Sequence, residues 1–306
     1  MPDILTLYIA FWVFIIGLCI GSFLNVVILR GLSGESIVFP PSKCPKCQHA
    51  LKWWHNIPLL SYLILRGKCY FCHEKISPQY FAVELITGIL FTAVFFKFGL
   101  TINMLLMLVI FSLFVVMTVT DLREKIIFDM HAFILAGAGL IFSLINHNLL
   151  NSVLGLLEGI LIMEIFASIG YLFVKSRAFG IGDTYIAGAL GVIFGWAPLL
   201  LVLILSLIVQ AVITMPLYLF KLYKSKNFKT LISLVLFLLI AAVYKILSLK
   251  TDINIIILYI GILLVVISGL YCVRQVTRNI KSASEAIILP FGPAMFIAAA
   301  VFLFLN

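Results

Sequence analysis

Apolar stretches run through most of the 306-residue chain, each close to the length of a helix that crosses a bilayer and each closed by a short polar turn. Crossing ~30 Å of hydrocarbon takes ~20 mostly apolar residues in a helix. On that measure ten spans are expected, over residues 4–29, 81–97, 102–120, 130–146, 151–174, 184–196, 198–220, 231–248, 253–272 and 287–305. The weakest is 184–196, which stops at Gly195-Trp196-Ala197-Pro198 and reads as a shallow helix or half of a broken one. Residues 4–29 read as a retained helix. Met1-Pro2-Asp3 supplies no basic start and no small-residue cleavage site follows. The pattern therefore predicts an all-α polytopic membrane protein, interrupted by one long polar segment, 42–80.

Composition agrees. Hydrophobic residues make up 64% of the chain and charged residues 11%, against ~45–50% and ~25% in soluble domains. A soluble enzyme, a disordered chain and a fibrous protein are excluded. The net charge of +9 would suggest nucleic acid in a soluble protein. Here no nucleic-acid partner is expected, because basic loops ordinarily mark the cytoplasmic ends of membrane helices. Seven such residues lie in 30–80: Arg30, Lys43, Lys46, Lys52, Arg66, Lys68 and Lys75. Lys221, Lys224, Lys226 and Lys229 fill the loop 221–229, and Arg274, Arg278 and Lys281 lie in 273–286. Counting spans from a cytoplasmic 30–80 segment puts all three on one side and both termini on the other.

The polar segment carries Cys44-x-x-Cys47 and Cys69-x-x-Cys72, separated by 21 residues. Each pair can present two thiolates to one tetrahedral zinc ion. Lys43, Lys46, Lys68 and Lys75 flank the sulfurs and would offset the negative charge of a four-thiolate site. A redox dithiol or two unrelated pairs are the alternatives. His49, His55 and His73 lie near enough in sequence to replace a cysteine as ligand. Cys19 and Cys272 read as packing residues.

With only twelve Asp and Glu, each position is informative. Asp121 closes the third span and Asp183 opens the sixth. The topology puts both at the same membrane boundary, so they could meet face to face. Two like charges at close range share a proton, and such a pair can activate water against a peptide carbonyl. Gly180 and Gly182 would open the backbone ahead of Asp183 to a substrate strand. The plainer alternative is two interfacial acids beside Arg123, Lys125, Lys175 or Arg177. Glu84, Glu158 and Glu164 lie inside spans, where acids face a bundle interior or cavity. Glu84 could instead bond to the cysteine segment or a nearby lysine. Asp129 reads as the cap of the following helix.

Gly21–Arg30 (GSFLNVVILR), Cys44–Cys69 (CPKCQHALKWWHNIPLLSYLILRGKC), Ile76–Glu84 (ISPQYFAVE), Gly180–Asp183 (GIGD) and Pro290–Ala294 (PFGPA) occur in this order. Together they resemble the bacterial prepilin peptidases, the aspartic type IV leader peptidases. The resemblance covers residues 17–220 and 287–305. It implies cleavage of the short basic leader of type IV prepilins and pseudopilins after a Gly, on the cytoplasmic side. It also implies N-methylation of the new N-terminus, usually Phe, with S-adenosylmethionine as donor. By motif position it makes Asp121 and Asp183 the catalytic pair and Cys44, Cys47, Cys69 and Cys72 the metal ligands. Gly67 and Lys68 are weaker candidates for the cofactor site, or simply a turn. The expected location is the bacterial cytoplasmic (inner) membrane, with both active sites facing the cytoplasm and pilus or secretion assemblies as partners.

Three departures from the family stand out. Tyr185 replaces a Lys often found two residues after the second Asp. Ile127-Phe128-Asp129 replaces Leu-Pro-Asp. Residues 221–276 look like an inserted pair of spans, raising the family's usual eight to ten without changing sidedness. The domain map expected is a first helix (1–29), a zinc-binding, methyltransferase-associated loop (30–80), a peptidase core (81–220), the insertion (221–276) and a final helix (277–306). Three other classes stay open at this point: a transporter with intramembrane acids, an intramembrane protease that cuts within a helix, and a non-catalytic assembly factor.

Overall fold

The computed structural model describes residues 3–174, 179–224, 228–248, 263–269, 271, 274 and 290–305. The described residues are helical apart from loops and two isolated bridges, Lys43 with Ala50 and Lys68 with Lys75. The apolar runs become α1 (Ile4–Ser33), α3 (Pro78–Phe98), α4 (Ile102–Glu124), α5 (Asp129–Ile145), α6 (Leu149–Val174), α7 (Ile181–Phe194), α8 (Trp196–Lys224), α9 (Phe228–Ser248) and α10 (Gly292–Leu305). The five-residue α2 (Leu60–Ile64) lies in the polar segment. Among the described residues five helices are long and apolar enough to cross a membrane: α1, α3, α4, Leu149–Ile169 of α6 and Trp196–Tyr218 of α8. α5, α7 and α10 are apolar but shorter. The expected span 253–272 lies mostly outside the described residues, as do Lys175, Arg177, Cys272, Arg278 and Lys281.

Caps set the helix ends. Asp3 accepts the Thr6 N–H at 3.0 Å and starts α1, which closes at Gly34 with φ +71°. Ser77 caps α3 with Pro78 at its first position, where the missing N–H costs nothing. Thr101 caps α4. Asp129 does not cap α5, contrary to expectation: Phe128 takes the cap position and Asp129 is the first helical residue. An acid there still complements the positive end of the helix dipole. Cys19 is exposed on α1 and fills no core.

The chain divides into two compact units. One comprises residues 1–164, 180–206 and 290–306, the other 165–179 and 207–289. In the first, glycines bring helices to backbone contact. A Cβ on Gly155 of α6 would lie 2.2 Å from the Gly191 carbonyl oxygen of α7, and one on Gly191 would lie 2.0 Å from that of Gly155. One turn along, Gly159 meets Ala187 in the same way. This is the small-residue spacing that lets apolar helices pack where lipid supplies no hydrophobic drive. Gly17 and Gly21 do the same for α1 against Gly88 and Glu84 of α3. The short, weak span is thus the most enclosed helix. Every residue from Asp183 to Ile193 of α7 is buried except Tyr185, whose ring packs on Phe133 of α5. In the second unit, Gly269 lies against the Phe237 ring of α9.

Candidate functional site

Asp121 sits in the last turn of α4 and Asp183 in the first turn of α7, both buried. Each carboxylate is fixed through one oxygen by a backbone donor. The Gly180 N–H donates to Asp183 Oδ2 at 3.0 Å, so the acid reaches back over the start of its own helix. The Gly292 N–H donates to Asp121 Oδ2 at 3.1 Å, across 171 residues of sequence. That N–H belongs to the first residue of α10, which has no partner within its helix. A Cβ on Gly292 would stand 2.6 Å from Asp121 Oδ2 and 3.6 Å from Ile186 of α7. Gly292 therefore wedges between the two acid-bearing helices. Asp183 is near enough for its charge to act on Asp121.

The two glycines ahead of Asp183 differ in surroundings. Gly180 has nothing nearer its free face than Asp183 itself, at 3.5 Å. Gly182 is pressed on Ile127, where a Cβ would come within 2.7 Å. It admits the α4–α5 connection there, and so is not open to a substrate strand. Thr184, next to Asp183 and buried, donates its hydroxyl to Glu164 Oε1 at 3.1 Å. Glu158 Oε2 is buried with no hydrogen-bond partner. The motif Pro290–Ala294 does not by itself give Gly292 a role, and no local pattern singles out Thr184. For Gly292 a signal existed: Pro-x-Gly-Pro opening an apolar helix leaves a free N–H on a residue without a side chain.

The four cysteines form the second constellation. Cys44, Cys47, Cys69 and Cys72 bring their sulfurs within 4.8 Å of one another, and Cys44 Sγ lies 3.9 Å from Cys72 Sγ. Tetrahedral zinc with Zn–S bonds of ~2.3 Å separates its sulfurs by ~3.8 Å, so the spacing suits a metal ion. The two arms repeat one another. Gln48 N–H donates to the Cys44 carbonyl and Cys44 N–H to that of His49, as His73 does to Cys69 and Cys69 to Glu74. The residue after each second cysteine turns back with positive φ, +59° at Gln48 and +57° at His73. The Cys72 N–H, aimed at the Cys69 sulfur, lowers that thiol to about 7 against the effect of burial. At Cys72 the Glu74 N–H pulls down, but desolvation and the other three sulfurs push the thiol up to about 12. Sulfurs this close cannot all ionise cheaply on their own, and a divalent cation would relieve that repulsion. His49, His55 and His73 stand outside the cluster. Burial and the nearby Lys52 charge lower the His55 pKa, and its Nδ1 accepts the Lys52 N–H at 3.1 Å. Its ring packs with Trp54, Tyr70 and Phe71 as a small aromatic core.

Glu84 ties this segment to the helices. Buried where α3 meets Gly21 of α1, it accepts the Leu59 N–H at 2.8 Å. Leu59 has φ +57° and ψ −48°, and the Leu60 N–H closes on the Pro58 carbonyl at 2.6 Å. This is a strained γ-turn. Gln79 at the start of α3 accepts from Arg123, two residues beyond Asp121, and reaches Asn25 of α1 at 3.5 Å.

The fold and these two centres define a helical membrane protein with a buried carboxylate pair and a four-thiol site. Residues 108–215 match the type IV leader peptidase family, and residues 15–98 match the bacterial peptidase A24 N-terminal domain. The chain is similar to proteins named prepilin leader peptidase/N-methyltransferase. It is 40% identical to that of Myxococcus xanthus over 206 residues, 67% of this chain and 62% of the relative. The relative from Klebsiella pneumoniae is 33% identical over 67% of this chain and 95% of its own length, and that from Neisseria gonorrhoeae 34% over 63% and 77%. No solved structure matches. The chain belongs to the type IV leader peptidase family.

Proposed function

We propose that this protein removes the leader peptide of type IV prepilins and pseudopilins and then N-methylates the exposed residue. The observation that carries the reading is the buried pair Asp121 and Asp183, each held by one backbone N–H on Oδ2. The Oδ1 atoms are then the oxygens offered to water and substrate. The ionised acid takes a proton from water as its oxygen attacks the scissile carbonyl. The protonated partner donates to the carbonyl oxygen, and later a proton passes to the leaving amine. Gly180, Gly182 and Asp129 support the pair's surroundings, and Glu84 supports the loop.

Around this centre we infer about ten spans and the five-part map set out above, in a bacterial cytoplasmic (inner) membrane with both sites on the cytoplasmic side. The substrate's apolar helix would lie beside the bundle and its basic leader would enter from the cytoplasm. Cys44, Cys47, Cys69 and Cys72 would hold a structural zinc ion, which supplies a cross-link for a loop with little core of its own. Methyl transfer is supported by the names of the relatives and by that loop. S-adenosylmethionine would supply the methyl group. Gly67 and Lys68 sit beside Arg66 and Lys75, a cationic setting that fits a sulfonium donor poorly, so no step is assigned to them. Pilus or secretion assemblies are the partners this activity serves.

The test is prepilin cleavage in membranes by wild type, Asp121→Asn and Asp183→Asn at matched expression. Asn keeps size and polarity but cannot exchange a proton. Each variant should lose leader removal and still methylate a pre-cut pilin. Cleavage near the wild-type rate by either variant would overturn the pair's assignment.

A further inference from the structure

A cavity of about 440 Å³ opens where the cysteine segment returns to the start of α3, and three of its lining residues are the cations Arg66, Lys68 and Lys75. No carboxylate lines it. Lys68 and Lys75 are paired across a bridge, which holds two of the cations side by side. Ser77 and Pro78, the cap and first residue of α3, also line it, so the positive end of the helix dipole adds to the field.

Glu84 gives the position of the Leu59 turn along α3. It stands six residues beyond Pro78, about 9 Å along the α3 axis, and its bond to the Leu59 N–H holds the γ-turn at that level. On a membrane-crossing α3 that begins at Pro78, the segment thus lies alongside the helix at Glu84 and returns to the helix start at the cavity. The side chains it leaves outward just there are apolar: Leu60, Leu63 and Ile64 are 57%, 59% and 76% exposed. Exposed apolar side chains in the same segment as three clustered cations match the two halves of a lipid. The basic leader of a substrate and a cationic methyl donor do not match such a site.

We propose that this cavity binds the phosphate of an anionic phospholipid head group, with the acyl chains lying along Leu60, Leu63 and Ile64. The site would fasten the cysteine segment to the bilayer surface. The inference requires that the chain be a membrane protein and does not depend on the reaction it catalyses.

The test is native mass spectrometry of the purified full chain in detergent, titrated with phosphatidylglycerol or phosphatidylcholine. Wild type should retain phosphatidylglycerol selectively. Arg66→Gln/Lys68→Gln/Lys75→Gln should bind it roughly 100-fold more weakly. Lys224→Gln/Lys229→Gln, which removes the same kind of charge outside the cavity and away from the cysteine segment, should bind as wild type does. Leu63→Ser/Ile64→Ser should also weaken retention. If the triple variant is misfolded, as judged by its melting temperature, Lys75→Gln alone should still give a roughly fivefold loss. Undiminished binding by a folded cavity variant, equal retention of phosphatidylcholine, or displacement by inorganic phosphate or S-adenosylmethionine at matched concentration would each overturn the proposal.

Discussion

At the scale of single residues, the carboxylate pair depends on atoms that sequence motifs pass over. Asp121 is aimed by the N–H of Gly292, and the absent side chain of Gly292 leaves the acid its space. Gly292→Ala keeps the N–H but must push the carboxylate or the helix away. A displacement on the order of 1 Å can cost ~100-fold in rate. We expect cleavage by Gly292→Ala to fall by about that factor while the protease resistance of the loop 42–80 stays unchanged. Wild-type cleavage by this variant would show that the contact does not position Asp121. Asp183 was easier to find, because Gly-x-Gly-Asp is local. The role of Gly292 is not local, since 171 residues separate it from its partner.

At the scale of elements, two contacts decide how the helices and the cysteine segment sit. α6 and α7 touch through Gly155 and Gly191, where neither has room for a methyl group. Overpacking costs ~1–3 kcal/mol even in tolerant cores, and here backbone meets backbone. Gly191→Ala should therefore lower the melting temperature in detergent and reduce both activities together. A variant that melts with wild type would mean the helices separate freely. The second contact is Glu84 with the strained Leu59 turn. Glu84→Gln can still accept that hydrogen bond, whereas Glu84→Ala cannot. Methylation should survive the first and fall severalfold in the second, with cleavage less affected. Leu59→Gly tolerates positive φ without strain and should restore part of the loss in the Ala background; failure to do so would show that the carboxylate has another task. Apolar run length marked the long helices among the described residues to within about five residues, because a helix crossing the hydrocarbon needs ~20 apolar residues. It could not rank them. The span that looked weakest, 184–196, became the buried α7 because its small residues admit neighbours on all sides.

At the scale of the whole molecule, a four-cysteine loop and a membrane bundle are joined by a few polar contacts. Arg123 follows Asp121 on α4 and holds Gln79 at the foot of the loop. Removing a metal held by the four cysteines should thus reach the loop before it reaches the carboxylate pair. Chelation or Cys44→Ser should make residues 42–80 protease-sensitive and abolish methyl transfer, with cleavage lost later or less. Methyl transfer by a metal-free protein would refute the structural role assigned to the ion. Sidedness is tested separately, by reagent labelling of cysteines in this loop from either face of sealed vesicles. Protection from the cytoplasmic face would reverse the orientation drawn from the lysines and arginines.

Several properties followed from the amino-acid order alone, for short-range reasons. Apolar run length marks membrane helices, Cys-x-x-Cys spacing lets each pair of sulfurs converge within one turn, and Pro or Ser at a helix start acts over two or three residues. The tertiary structure decided what depends on distant chain segments meeting. It put the α10 glycine against Asp121, the Leu59 turn under Glu84, Gly182 against Ile127, and α7 at the centre of its unit. Those contacts are set by which helices can approach closely, and that follows from the packing of all their faces at once, which no local pattern encodes.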